Sequence, residues 1–220
     1  MTKSNIQTIL WDWNGTLLDD INHCIKCMNI LLKKRSYEPL SKDKYLSVFT
    51  FPVKEYYARL GFDFSREPFE IPAEEFIVHY SEGLQHVPLF DDAATSLAFF
   101  KKLKLKQYIV SAMQQESLLQ SVDDKAISGY FEKISGIKDN LAFGKNGIAR
   151  KLIETEGIIA KNTLFIGDTL HDAEVAAEMG INCVLISQGH QESQVLKQTG
   201  NPVFSSLSAM TRWFTEEVSG

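Results

Sequence analysis

Two groups of acidic residues in this chain have the residue types and the spacing that chemistry requires. Asp12 lies inside the segment Trp11-Asp12-Trp13-Asn14-Gly15-Thr16, directly behind an apolar run. Asp168 and Asp172 lie four residues apart behind a second apolar run. A carboxylate can attack an electrophile covalently, and carboxylate oxygens are ligands that Mg²⁺ prefers. The two groups therefore predict a site for nucleophilic or metal-assisted chemistry, provided that the fold brings them together.

The elements that must position these acids are predicted from the hydrophobic pattern. Six strand-like runs alternate with helical patterns: Ile6 to Trp11, Gln107 to Ser111, Lys133 to Ile137, Thr163 to Ile166, Asn182 to Ile186 and Pro202 to Phe204. Strands that alternate with helices predict βαβ units, so we expect an α/β fold with a doubly wound, Rossmann-like parallel sheet. Ligands bind at the carboxyl ends of the strands in such sheets, which is where Asp12 and Asp168 fall.

One stretch of the chain interrupts this alternation. Residues 19–87 show helical periodicity and no convincing strand, with apolar residues that fit helix faces at Ile21, Ile25, Met28, Leu31, Leu32, Tyr56, Leu60, Phe76, Ile77 and Tyr80. Prolines are expected to divide the stretch into separate helices, and they stand at Pro39, Pro52, Pro68 and Pro72. We therefore predict a Rossmann-like core of residues 1–18 and 88–220 with an inserted α-helical cap of residues 19–87.

Composition narrows the class of protein. The 220 residues are 44% hydrophobic and carry a formal net charge of -5, which is typical of a globular protein without the basic surface that nucleic acid requires. We see no secretory leader and no apolar run long enough to span a bilayer. Three cysteines do not indicate a disulfide framework. We expect a cytoplasmic monomer or homodimer without a nucleic-acid or membrane partner.

The order of the candidate residues adds a resemblance to a known family. Asp12-Trp13-Asn14-Gly15-Thr16, then Ser111, then Lys145 in Phe143-Gly144-Lys145-Asn146, then Asp168 with Asp172 resembles the haloacid dehalogenase-like hydrolase superfamily. The resemblance is to its phosphoglycolate-phosphatase-like members, which carry a helical cap after the first motif. It implies Mg²⁺-dependent hydrolysis of a small phosphorylated metabolite through an aspartyl-phosphate intermediate.

The resemblance also implies a role for each matching residue. Asp12 is expected to be the nucleophile, Ser111 to donate a hydrogen bond to the phosphoryl group, and Lys145 to balance negative charge. The remaining implied roles are binding of the substrate by Gly15, Thr16, Ser111, Ala112 and Lys145, and binding of Mg²⁺ by Asp12, Asp168, the backbone carbonyl of Asn14, and Asp172 either directly or through water.

Asn14 is the departure from the family pattern. Phosphatases of the family carry a second acid there, which protonates the leaving alcohol and then activates water, and loss of such a group costs roughly 10²–10⁴-fold in rate. Four interpretations stay open. The first is a slow phosphatase that favours good leaving groups. The second is dehalogenase-type chemistry or that of a phosphonoacetaldehyde hydrolase, for which Lys54 is the candidate Schiff-base lysine. The third is a phosphate-binding protein with little turnover, and the fourth is deamidation of Asn14, which would restore the acid.

Purely structural roles are alternatives for several of these residues. Ser111 is also consistent with a strand-end cap, and Lys145 with a solvated loop lysine for which Lys138 and Lys151 compete. Asp172 is also consistent with a helix N-terminal residue that complements the helix dipole. A receiver-type phosphoacceptor domain uses similar residue types, but the long insert and the N-terminal position of Asp12 argue against it.

Overall fold

A computed structural model describes residues 3–137 and 144–216 of the chain. Its contacts divide the chain into two compact units. The sheet unit comprises Met1–Asp19 and Pro88–Gly220, and the helical unit comprises Asp20–Val87. That these units are the hydrolase core and the cap predicted above stays a proposal.

The described residues contain a single six-stranded parallel sheet. Its strands are β1 Thr8–Trp11, β2 Lys106–Gln114, β3 Lys133–Ile137, β4 Thr163–Gly167, β5 Asn182–Ile186 and β6 Val203–Phe204. The strand order is β3-β2-β1-β4-β5-β6. All six predicted runs are therefore strands, and the predicted Rossmann-like α/β fold is confirmed.

Ten α-helices lie in the described residues: α1 Ile21–Lys34, α2 Lys42–Val48, α3 Val53–Arg59, α4 Glu70–Gly83, α5 Ala93–Lys102, α6 Gln115–Asp124, α7 Lys145–Glu156, α8 Leu170–Glu178, α9 Ser193–Leu196 and α10 Leu207–Glu216. The last six belong to the sheet unit and flank its strands. Within the described part of the chain, no helix has the length and apolar character needed to cross a membrane.

The core of the sheet unit follows from the register of its strands. Leu10 pairs with Tyr108 on one side and with Phe165 on the other, and all three side chains join one buried cluster with α7 and α8. The adjacent Trp11 faces the opposite side, because successive side chains of a strand alternate. Its ring packs on Phe100, with 5.7 Å between ring centroids.

The helical unit has an apolar core of its own. As the periodicity predicts, α1 buries one face, which contributes Ile21, Met28, Leu31 and Leu32 to a cluster with the aromatic rings of α2 and α3. Two details of the prediction are wrong. Pro72 does not end a helix, because it lies in the first turn of α4, where a missing N–H is tolerated. Ile77 is 57% exposed instead of buried.

Candidate active site

The site is built where the direction of the sheet winding changes. The chain leaves β1 toward β2 and β3, then crosses back to add β4 on the other side of β1. Trp11 pairs with Ile166, so the carboxyl ends of β1 and β4 lie side by side, and the Asp12 N–H donates to the Ile166 carbonyl at 2.9 Å. This switch point is the position at which open α/β sheets bind ligands. It brings Asp12 and Asp168 together.

Lys145 reaches the same point from α7. Its Nζ donates to Asp12 Oδ1 and, at 2.5 Å, to Asp172 Oδ1, and its side chain is only 5% exposed. The prediction that Lys145 lies in a loop is wrong, because α7 begins at this residue. Its side chain is not solvated. Of the two competing lysines, Lys151 is exposed and Lys138 lies outside the described residues.

Asp172 has the helix N-terminal role that the sequence offered as one alternative, and it also faces Lys145. It is the third residue of α8 in a capping box with Thr169. Its Oδ2 accepts the Thr169 N–H at 2.9 Å, the Thr169 hydroxyl at 2.8 Å and the Asp168 N–H at 3.0 Å. Its Oδ1 is the atom that pairs with Lys145. One oxygen therefore fixes the strand-to-helix turn, while the other faces the charged cluster.

Asp168 is fully buried and held from two sides. The Thr16 hydroxyl donates to its Oδ1 at 3.1 Å, and the backbone N–H of His190 donates to its Oδ2 at 2.6 Å. His190 lies in the loop behind β5, and sequence reasoning missed this loop. The available signal was its position at the carboxyl end of a strand, where site residues collect.

Three glycines allow the backbone to approach these carboxylates closely. Gly15 has a φ of +71°, and a Cβ there would lie 2.3 Å from Asp168 Oδ2. A Cβ on Gly189 would lie 2.2 Å from the same oxygen, and one on Gly167 would lie 2.4 Å from Asp172 Cγ. Only glycine lacks the atom that would displace the acids.

Ser111 and Asn14 meet across the neighbouring strands β2 and β1. The Ser111 hydroxyl lies 3.5 Å from Asn14 Oδ1 and accepts the Met113 N–H at 3.1 Å. The expected strand end at Ser111 is wrong, because β2 continues to Gln114 past a register shift that follows Val110. Ala112, the next residue, is exposed.

The first turn behind Asp12 is closed by its own backbone. The Gly15 N–H donates to the Leu18 carbonyl at 3.0 Å, and the Thr16 N–H donates to the Trp13 carbonyl at 3.3 Å. Trp13, the residue between Asp12 and Asn14, is fully buried. That Gly15, Thr16 and Ala112 bind substrate stays a prediction.

Burial and the charge of Lys145 shift the pKa values of the clustered acids. Burial, together with the charge of Asp172, raises the pKa of Asp12 to about 6, against the opposing effect of Lys145. Burial also raises the pKa of Asp168 well above its usual range. For Asp172 burial acts in the same direction, but the charge and hydrogen bonds of Lys145 outweigh it and lower the pKa.

These acids fit a divalent cation. Asp12, Asp168 and Asp172 each offer an oxygen, and the three atoms lie within 4.8 Å of one another. All three donors are carboxylate oxygens, which Mg²⁺ prefers. All three acids are buried, and Lys145 pairs with two of them, Asp12 and Asp172. Uncompensated buried charge is costly, so the arrangement is suited to holding a positive ion.

Lys54 is the candidate for Schiff-base chemistry. It is in the first turn of α3 within the helical unit, where it is exposed, and its Nζ lies 5.4 Å from the centroid of the Phe64 ring. A lysine activated for such chemistry is desolvated or lies next to another cation. Its surroundings give no support to the phosphonoacetaldehyde hydrolase alternative.

Comparisons with known proteins identify the family. The family described as haloacid dehalogenase-like hydrolase matches residues 9–186, which include the four positions Asp12, Ser111, Lys145 and Asp168. The match covers well over half of the chain. The protein therefore belongs to the haloacid dehalogenase-like hydrolases, and the resemblance drawn from its motifs is confirmed.

Individual relatives are distant but span the chain. A phosphoglycolate phosphatase of Rhodobacter capsulatus is 22% identical over 190 residues, covering 84% of this chain and 86% of the relative. A 5'-nucleotidase of Pseudomonas aeruginosa is 24% identical over 196 residues, covering 86% of each. A haloacid dehalogenase-like family protein from Streptococcus pneumoniae has the same fold, with a TM-score of 0.84, 18% identity, and coverage of 96% of this chain and 99% of that one.

Proposed function

We propose that this hydrolase is a Mg²⁺-dependent phosphatase that acts on a small phosphorylated metabolite, with Asp12 as the nucleophile. The observation that carries the proposal is the buried cluster of Asp12, Asp168 and Asp172 at the switch point of the sheet, where Lys145 pairs with the first and the third of these acids. Phosphoryl transfer needs an in-line nucleophile and charge stabilisation around the phosphoryl oxygens. The cluster holds both kinds of group.

Each residue of the cluster has a defined part in this proposal. Asp12 attacks phosphorus and becomes an aspartyl-phosphate, which water then hydrolyses. Lys145 fixes the Asp12 carboxylate before attack and offsets the negative charge that develops on the phosphoryl oxygens. Ser111 donates a hydrogen bond to one of those oxygens, from its position beside Asn14.

Asp12, Asp168 and the carbonyl of Asn14 would hold the metal ion, and Asp172 would assist directly or through water. When bound, Mg²⁺ supplies charge neutralisation and orients the phosphoryl group. The rigid support of Asp168 by Thr16 and His190 is consistent with this role, because ligands held by a second set of hydrogen bonds keep their geometry.

The nature of the relatives supports a small phosphorylated substrate. One is named phosphoglycolate phosphatase and another 5'-nucleotidase, and both are matched over most of their length. Their substrates differ in size and in the leaving group, so the relatives support the class of phosphate monoesters instead of one compound.

The decisive experiment is a phosphate-release screen over sugar phosphates, phosphoglycolate and nucleotides with Mg²⁺ present. Asp12→Asn is expected to lower kcat by about 10⁴-fold or more, as loss of a nucleophile does. The matched control is Asp123→Asn, an exposed carboxylate at the end of α6, which should leave kcat unchanged. Full activity of Asp12→Asn would overturn the proposal, and so would the absence of turnover on every substrate.

A further inference from the structure

The amide side chain of Asn14 is placed among the reacting groups. Asn14 lies two residues behind Asp12, and its Oδ1 lies 3.5 Å from the hydroxyl of Ser111 on β2. Its backbone forms a bridge with Leu18, which fixes the turn that carries it. Position 14 is therefore an ordered part of the site, and its chemistry matters for any reaction at Asp12.

The fold also favours keeping residue 14 as an amide. Deamidation requires the backbone nitrogen of Gly15 to attack the side-chain carbon of Asn14. The N–H of Gly15 donates to the Leu18 carbonyl at 3.0 Å, inside a closed turn. That hydrogen bond holds the nitrogen in place, so the acid is not expected to form spontaneously in the folded protein.

An amide offers hydrogen bonds but does not transfer a proton at neutral pH. The other acidic and lysine side chains around Asp12 in the described residues already have structural tasks, and the buried imidazole of His190 lies against Gly15 and Asp168. Lys145 is held between Asp12 and Asp172. Asp172 caps α8, and Asp168 is held by Thr16 and by the His190 N–H. In the described sheet unit, Asp168 and Asp172 thus serve positioning and charge balance.

From this arrangement we infer that the protein acts best on phosphates whose leaving group departs without protonation, namely acyl phosphates and phosphates of acidic hydroxyl groups. An alkoxide is a poor leaving group and needs a proton from a positioned acid, whereas a carboxylate or a phenolate does not. The inference rests on the proposed phosphatase function and specifies its substrate class.

The two steps balance without a further reactant. An oxygen of Asp12 bonds to phosphorus while the bond from phosphorus to the leaving oxygen breaks, and the electron pair departs on a carboxylate or phenolate. Water then attacks the phosphorus of the aspartyl-phosphate, the bond to Asp12 breaks, and the electron pair returns to the carboxylate. Both protons of the water leave with the phosphate product.

The test is a leaving-group series measured on the wild-type protein with Mg²⁺: acetyl phosphate, 4-nitrophenyl phosphate, phenyl phosphate and ethyl phosphate. We expect kcat/KM to fall by at least about 10²-fold from the first two to ethyl phosphate, the size of a missing acid's contribution. Comparable kcat/KM on ethyl and 4-nitrophenyl phosphate would overturn the inference while leaving the phosphatase proposal intact. No turnover on any compound would overturn both.

Asn14→Asp sharpens the test, because it adds the acid in place. It should raise kcat/KM on ethyl phosphate by about 10²–10⁴-fold and change that on 4-nitrophenyl phosphate by less than about tenfold. The matched control is Asn201→Asp, which adds the same charge before the amino end of β6, and it should alter neither value. An equal gain on both substrates would contradict the inference.

Discussion

The sheet unit and the helical unit bury different kinds of side chain. In the described part of the chain, every buried polar or charged residue lies in the sheet unit except Asp20. The helical unit instead buries aliphatic and aromatic side chains, with Tyr45, Tyr56, Tyr57 and Phe62 in one cluster. Apolar burial stabilises a fold, whereas buried charge stabilises it only when well paired.

This difference indicates a division of tasks inside the chain. The apolar core of the sheet unit stabilises the fold and so offsets the cost of burying a cluster of acids behind the carboxyl ends of β1 and β4. The helical unit is held by its apolar cluster, so we expect packing to dominate the effect of substitutions there. Substitutions at the buried charges of the sheet unit should therefore have larger effects on stability than substitutions of polar groups in the helical unit.

The largest effect on stability is expected for Lys145→Met. This change removes the ammonium group that pairs with Asp12 and Asp172, and it leaves buried carboxylates without that partner. Breaking such a pair costs about 3–5 kcal/mol of unfolding free energy. Urea unfolding without divalent ions measures it, and Lys151→Met, at an exposed position of the same helix, is the control. If the Lys145→Met protein were as stable as the wild type, the loss of the positive partner would not destabilise the buried carboxylates.

Gly189→Ala should have a smaller effect on stability, and it should also weaken the proposed metal site. A Cβ there would lie 2.2 Å from Asp168 Oδ2 and 2.4 Å from the Gly15 carbonyl oxygen, so Asp168 must move. Overpacking of this kind costs about 1–3 kcal/mol. A calorimetric titration with Mg²⁺ should show that the variant binds the ion more weakly than the wild-type protein. Gly129→Ala, where a Cβ meets nothing within 4 Å, is the control. Unchanged Mg²⁺ affinity would separate Asp168 from metal binding.

In the helical unit a pair of hydroxyl deletions should act in opposite directions. The Tyr56 hydroxyl is buried, with no hydrogen-bond partner among the described residues, so Tyr56→Phe should stabilise the protein by up to about 1 kcal/mol or leave it unchanged. The Tyr80 hydroxyl donates to Asp20 at 2.8 Å, so Tyr80→Phe should destabilise by about 1.5–3 kcal/mol. Thermal melts of both variants test this. A loss of stability in Tyr56→Phe would contradict the packing account.

The smallest effect is expected from Glu75, and it depends on pH. Hydrogen bonds from Lys34 and Arg35 lower its pKa, so its contribution to stability is present above the unfolded value of about 4.3 and is lost as pH falls through the folded value. Glu75→Gln should destabilise by less than about 1 kcal/mol at neutral pH. The difference should shrink at about pH 3. The exposed Glu74→Gln is the control, and a pH-independent difference would contradict the ion-pair account.

Features that depend on consecutive residues could be predicted from the sequence, whereas contacts between residues far apart in the chain could not. The strands β1 and β4 and the acids behind them were predictable, because apolar runs and their end points are written in consecutive residues. The burial of Lys145 was not, because it depends on where α7 begins relative to two distant acids. Gly189 and His190 were missed for the same reason, since both contact Asp168 across a long stretch of sequence, which is 22 positions for His190.

Errors in the helical unit have a similar origin. Pro72 was expected to separate two helices, but it lies in the first turn of α4, where proline is tolerated. The start of α4 has no side-chain cap, so the sequence gives little indication of where this helix begins. Ile77 fits an apolar periodicity and is nevertheless exposed. Periodicity predicts which residues share a face of a helix, and burial depends on what packs against that face.

The most direct test of the central claim is peptide mapping of the wild-type protein, quenched in acid during turnover of 4-nitrophenyl phosphate with Mg²⁺. The account predicts one added phosphoryl group on the peptide that contains Asp12, and no such adduct in Asp12→Asn. A phosphoryl group on any other residue, or an adduct that persists in Asp12→Asn, would contradict it.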